Sequence, residues 1–229
     1  MSRALDRMPP FDCVKLVSFN RGDVSDRAPG SFAQSGTLIG NASVSGGVLV
    51  LDGSGDYASY PDAAHLSLPS AFSVSVWFEP STPGSVYRTP VSKFNSIGNQ
   101  RTFYVSAGYG VNSWSAVLSA TGASASGANA IQYTFAQTIP TSGWHHMIAV
   151  FDTFASAGNR AKLWIDGVQL SSTVTYDHSN FTPYDSTADF QIGSLGNTLS
   201  WKGNLDDCRL ITRALSSAEV GAIYSAGRQ

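Results

Sequence analysis

A chain of 229 residues with 42% hydrophobic residues can bury a sizeable core, which excludes a globally disordered polymer. Charged residues make up only 13%, the net charge is −2, and the 14 Lys and Arg are scattered, so the basic patch of a nucleic-acid-binding protein is missing. No apolar run reaches the ~18 residues of a membrane-spanning helix. Neither nucleic acid nor membrane is therefore an expected partner. Residues 1–10 carry Arg3, Asp6 and Arg7 without an apolar stretch, and do not read as a signal peptide. They are expected to form a tether ahead of one domain at 11–229. Either a signal has been removed, or the protein is made and assembled in a cytoplasm.

Strand signals then follow at close spacing. Residues 14–19 are apolar, and 47–51 are rich in β-branched residues and run into Asp52-Gly53. Residues 72–78 alternate with period two, which puts Phe72, Val74 and Val76 on one face. Further strands are expected at 102–106, 113–118, 131–135, 146–151, 162–165, 190–192 and 205–211. Pro80, Pro83 and Pro90 bracket a loop, and the Gly/Ala/Ser stretch 121–128 reads as a long hairpin loop. Asp52-Gly53 and Asp166-Gly167 read as hairpin turns, because glycine takes positive φ without steric cost. Ser216-Ser217-Ala218-Glu219 is a capping-box pattern. It opens a short helix with Val220, Ile223 and Tyr224 on one face and Gly227 as its stop. About ten strands and one helix imply antiparallel sheets packed face to face. Cys13 and Cys208 are either two buried thiols or one clasp between the first and last strands, if those strands pair.

Five blocks carry a family resemblance. Residues 72–80, FSVSVWFEP, resemble the FTISAWVKP strand of laminin-G-like jelly rolls, and 51–57, LDGSGDY, resemble their FDGSDDYV turn. Residues 143–152, GWHHMIAVFD, are similar to GWHHVAATYD, and 163–167, LWIDG, to LYVDG. Residues 203–210 with 213–216 resemble GNIDDVRIYNRALS. The blocks occur in the family's order. The resemblance implies an all-β fold: an antiparallel two-sheet concanavalin A-like jelly-roll sandwich with one short C-terminal helix. It also implies neighbouring first and last strands, and a binding module for glycans, glycoconjugates or proteins.

Some relatives of this fold hydrolyse glycans with an E-x-D-x-x-E strand, because hydrolysis needs two carboxylates across the bond. No such triplet occurs here, and Glu is confined to Glu79 and Glu219. Asp206 and Asp207 are adjacent, so a regular strand would turn them to opposite faces. Their expected role is turn and backbone hydrogen bonding. His145-His146 fits no zinc helix pattern, and a structural role is expected for the pair. Neither a G-x-S-x-G elbow nor a P-loop is present. The chain is therefore expected not to be an enzyme.

Many related domains hold calcium at the sandwich rim, where it needs several oxygen ligands. The two loops that the resemblance assigns to a pentraxin-like site, 194–198 and 98–101, contain no carboxylate. No cofactor is expected; the remaining calcium pairing would be Asp52 with Asp56, for which turn chemistry is the better account.

Sugars are recognised by aromatic faces together with amide and hydroxyl groups. Trp77, Trp144, Trp164 and Trp201 fall at family positions that are aromatic or apolar, and are expected in the core. Trp114 falls outside those positions and, with Tyr109, is the expected exposed platform; strand packing is the alternative. Asn99, Arg101 and Asn197 are further candidates from their loop positions. Arg21-Gly22-Asp23 spells an adhesion tripeptide that is also ordinary turn chemistry, and Asn41 and Asn180 head sequons. Two functional classes follow. One is a glycan- or surface-binding adhesion module on a bacteriophage virion, as a capsid decoration, head-fibre or tail-associated protein. It would dock on other virion subunits through residues 1–10 and be oligomeric or particle-bound. The other is a free-standing extracellular carbohydrate-binding module.

Overall fold

The computed structural model describes residues 13–28, 34–81, 88–108, 112–123 and 127–228. The expected tether at 1–10 lies outside them. In chain order the strands are β1 (Cys13–Val17), β2 (Thr37–Ile39), β3 (Ser43–Ser45), β4 (Val48–Asp52), β5 (Tyr57–Tyr60) and β6 (Ala71–Pro80). There follow β7 (Arg88–Asn95), β8 (Gln100–Ala107), β9 (Ser113–Ser119), β10 (Ala130–Ala136) and β11 (His145–Asp152). The last are β12 (Ala161–Ile165), β13 (Val168–Gln169), β14 (Ser172–Asp177), β15 (Phe190–Ile192) and β16 (Lys202–Ile211), before helix α1 (Ser217–Ala226).

The strands form two antiparallel sheets. The first runs β13-β12-β11-β6-β16-β4-β3, and the second β14-β10-β9-β8-β7-β15-β5-β2. Strand β16 takes two partners in turn along one edge: β4 meets its start at Lys202–Leu205, and β1 meets its end at Cys208–Ile211. First and last strands are therefore neighbours, as the resemblance implies. The ladder sets Cys13 opposite Ile211 and Cys208 opposite Val17, so the thiols are offset by four residues and no disulfide forms. Burial pushes the Cys208 thiol up, which leaves it protonated and unreactive.

Alternation in β6 builds the core. Phe72, Val74, Val76 and Phe78 are fully buried between the sheets. Phe72 stacks on Phe151 of its own sheet at 4.8 Å and meets Phe103 of the other sheet edge-on at 5.3 Å. Phe78 packs against Trp114 at 5.3 Å and Trp201 at 5.5 Å. Each such ring contributes about 1.5–3 kcal/mol by leaving water. The other side of the first sheet is covered too. Ile148, Val150, Trp164 and Ile211 pack there under Leu215, Val220 and Ile223. Helix α1 carries the expected capping box, with Ser216 and Glu219 bonded reciprocally, and ends at Gly227.

The ten strands read from the sequence are all present, and among the described residues six more join them. Strand β7 was hidden by Pro90, which lacks the amide a central strand donates. The structure accommodates it with a register shift between Arg88 and Val91, while the Pro90 carbonyl accepts from the Gly193 amide. Asp166-Gly167 makes the expected hairpin between β12 and β13, with φ of 50° and 76°. Asp52-Gly53 does not make a hairpin. It starts a crossover from β4 in the first sheet to β5 in the second, and Asp56 holds this turn by accepting the Asn41 and Asp52 amides at 2.7 and 2.9 Å.

Two buried polar groups test the packing. Lys15 is fully buried, bonded to Asp26 at 3.1 Å and to Gln34 at 2.8 Å, with its ammonium 4.3 Å from the Tyr60 ring centroid. Burial lowers its pKa and the Asp26 carboxylate opposes that shift. Asp26→Ala strands the lysine and should cost about 3–5 kcal/mol in denaturant unfolding. Lys15→Met with Asp26→Leu should recover much of that loss; failure to recover would show that Asp26 acts mainly through the Leu16 and Ala28 amides it also accepts. His146 bonds Ser75 at 2.8 Å and stacks on Trp77 at 4.7 Å, and burial lowers its pKa to about 3. The unfolded chain binds this proton below about 6.5 while the native state refuses it. This stabilisation is thus complete above pH 6.5 and shrinks as pH falls towards 3, by roughly 2 kcal/mol at pH 5. Thermal melts should show that slope, and His146→Gln should flatten it.

Candidate functional site

The outer face of the second sheet carries a polar row across its strands. In register these are Ser59, Gln191, Ser92, Tyr104, Val117 and Gln132. The loop after β15 folds back over part of this row. Ser92 Oγ donates to the Ser194 carbonyl at 2.7 Å, and Leu195 packs with Tyr104 and Val117. Gln191 Nε2 donates to Asn197 Oδ1 at 2.8 Å, which holds Asn197 at the loop tip with φ 68°. Phe94, at the end of β7, meets Tyr104 edge-on at 5.4 Å.

Arg101, at the start of β8, fastens the neighbouring loops. Its guanidinium lies 5.7 Å from the Phe94 ring centroid. Nη1 donates to Asn99 Oδ1 at 2.9 Å and to the Gly122 and Ala123 carbonyls at 3.0 Å each, and Nη2 donates to the Ser96 carbonyl at 3.1 Å. None of these acceptors is a carboxylate, so the positive charge is solvated but not neutralised. Asn99, with φ 59°, and Asn197 are both exposed, and each engages its side-chain oxygen while leaving Nδ2 without a protein partner. Ile97 stands beside them, 80% exposed. Arg101 and Asn99 thus meet beside Phe94, and the Asn197 loop reaches the same ring through Gly196. That surface offers hydrogen-bond donors, a positive charge and an apolar contact, which suits oxygen-rich ligands.

Trp114 is a correction. It is fully buried between the sheets against Phe78, because its position in β9 faces inward; it cannot serve as a surface platform. Tyr109, its expected companion, lies outside the described residues. Of the tryptophans expected in the core, Trp201 lies there. Trp77 and Trp164 are buried on the outer face of the first sheet, Trp77 against Tyr224 and Trp164 under the helix. Trp144 departs from expectation: it is half-buried at the rim, with Arg228 4.2 Å over its ring.

Possible catalytic and metal groups have structural partners. Asp206 accepts the Phe19 and Asp207 amides and pairs with Arg228 at 2.8 Å. The strand is not regular there: a bulge with Asp207 at φ 44° interrupts it. Glu219 caps the helix and pairs with Arg213 at 2.7 Å. His145 bonds Asp166 at 2.6 Å. Asp52 and Asp56 spend their oxygens on Ser54, Asn41 and the turn's own amides. No group of three or more metal-ligating side chains occurs among the described residues.

Sequence reasoning missed Phe94, Tyr104 and Gln191. Their period-two neighbours could have assigned them to an outward face, but only strand register shows that they meet.

Comparisons with known proteins agree with this architecture. Domain 4 of AbnA, an extracellular GH43 arabinanase from Geobacillus stearothermophilus solved with arabinotriose, is 19% identical with a TM-score of 0.61, over 93% of this chain and 98% of that one. The binding domain of Paraclostridial Mosquitocidal Protein 1 is 13% identical with a TM-score of 0.68, over 94% of this chain and 52% of that one. The receptor-binding domain of botulinum neurotoxin C/D mosaic serotype is 14% identical with a TM-score of 0.70, over 96% and 52%. The chain spans about half the length of the latter two. At these identities the likeness is one of fold. No curated protein matches the sequence. The family model described as the concanavalin A-like lectin/glucanases superfamily, of laminin-G type, matches residues 52–221, most of the chain. The chain belongs to this superfamily.

Proposed function

We propose that this domain is a non-catalytic surface-binding or adhesion module that contacts glycan. The observation that carries the reading is the donor surface at Asn99, Arg101 and Asn197, with one free amide beside an unneutralised guanidinium and a second on the loop that packs on Phe94. Glycans present hydroxyl, carboxylate and ring oxygens as acceptors, and charge-assisted donors bind them best. The family and the arabinotriose complex of a structural neighbour support the same class. The non-catalytic part rests on the carboxylates. Glycosidic hydrolysis needs an acid and a second carboxylate about 5–9.5 Å apart. Of the two glutamates, Glu219 is consumed by the helix cap, and Glu79 is paired with the Asn204 amide.

A finer proposal places the module on a bacteriophage virion, as a capsid decoration, head-fibre or tail-associated protein docked through residues 1–10. It rests on the sequence expectation of a tether. A free-standing extracellular lectin-like module is the alternative.

A glycan array read together with a reducing-end assay tests the central reading. Retention of acidic or neutral glycans with no new reducing ends is expected; release of reducing ends would overturn the non-catalytic assignment. Asn99→Gly with Asn197→Gly removes both amides while glycine keeps the left-handed backbone. Affinity for the retained glycan should fall about tenfold or more, as two hydrogen bonds are lost. Unchanged affinity would move the site elsewhere. Sedimentation with and without residues 1–10 separates the settings. Loss of oligomer or particle binding on truncation supports the virion, whereas two monomers that both bind envelope polysaccharide support the free module.

A further inference from the structure

The opposite side of the sandwich holds a second, chemically different surface. On the outer face of the first sheet, Val50, Asn204 and Glu79 lie abreast on β4, β16 and β6. Their neighbours Leu205 and Phe78 point into the core, so these three point out. They line an open cleft of about 320 Å³ with Leu51, Pro80 and Gly143. That volume sits at the lower end of the ~300–1,000 Å³ of small-ligand sites. Gly203 forms part of the floor at φ 128°, where a Cβ would collide with the Glu79 carbonyl oxygen.

Ser81 and Ser142 complete the polar lining with hydroxyls that can donate or accept, whereas the two side chains at its centre offer acceptors. Asn204 Nδ2 donates to Glu79 Oε2 at 2.8 Å. This fixes the two side chains against each other and leaves Glu79 Oε1 and Asn204 Oδ1 without a protein partner. Both are acceptors. Glu79 has no ion pair, and Lys202, on the same face, is not among the residues lining the cleft. A ligand that fits must bring at least two adjacent donors and lay a carbon face on Val50. Calcium would require six to eight oxygens. An alkylammonium would satisfy the acceptors from a single point.

We propose that the Glu79–Asn204 cleft is a saccharide site that takes one neutral sugar ring through a pair of vicinal hydroxyls. The hydroxyls donate to Glu79 Oε1 and Asn204 Oδ1, the first as a charge-assisted bond. An acidic sugar is disfavoured by the carboxylate. The cleft is thus opposite in sign to the Arg101 surface and lies on the opposite sheet, so one domain can hold two glycan segments of different charge.

Calorimetric titration of the full chain with arabinotriose, xylotriose and maltotriose tests this, with sialyllactose, n-butylammonium and calcium chloride as the other arms. At least one neutral trisaccharide is expected to bind. Glu79→Gln keeps the shape and should weaken that trisaccharide about tenfold or more at an unchanged melting temperature. Asn204→Ala should weaken it similarly. Undiminished binding by both variants would overturn the cleft assignment while leaving the Arg101 surface as the glycan contact. Failure of all three neutral trisaccharides to bind, or tighter binding of n-butylammonium or calcium, would also overturn it.

Discussion

The alternation of strand β6 is the constraint on which the rest of the molecule depends. Its inward set, Phe72, Val74, Val76 and Phe78, joins the two sheets through rings contributed by both. Its outward set does different work at each step. Ser73 accepts the Leu215 amide and donates to the Arg213 carbonyl, which anchors the chain entering the helix. Ser75 orients His146, Trp77 stacks between the sheet and Tyr224, and Glu79 meets Asn204. A slip of one residue would exchange the two sets and bury a carboxylate where Phe78 now sits. Core formation and placement of the outer clefts are therefore one event, and the aromatic layer that stabilises the fold also fixes where its polar groups emerge.

Much of this was legible in the residues. Apolar and β-branched runs, with period-two alternation at 72–78, gave the ten principal strands, and the Ser216–Glu219 box gave the helix start. What escaped has a physical reason in each case. β7 contains a proline that a bulge accommodates, and β14 is an exposed edge, Ser172–Asp177, whose polar residues carry no burial pattern. Asp52-Gly53 has the chemistry of a tight turn, yet nothing local tells whether the next strand pairs with the last or crosses to the other sheet. Trp114 follows a turn in sequence but faces inward in space. The candidate surfaces were the least legible part. Arg101, Asn99 and Asn197 were visible as loop residues, whereas the pairing of Glu79 with Asn204 spans 125 positions and is set by register alone.

The two surfaces share a design. Each is held rigid by bonds between its own members, Arg101 to the surrounding carbonyls and Asn204 to Glu79, and each leaves a few polar atoms unspent. Preorganised groups of this kind bind with less loss of side-chain entropy than mobile ones. Neither surface assembles the carboxylate pair of a glycosidase.

The most direct measurement is amide chemical-shift mapping of the labelled chain while a retained glycan is titrated in. The account predicts changes confined to the outward faces, at 94–101 and 191–199 or at Val50, Glu79, Gly143 and Asn204, with the inward residues of β6 still. Shifts centred on the β14 edge, or on the buried aromatic layer, would contradict it.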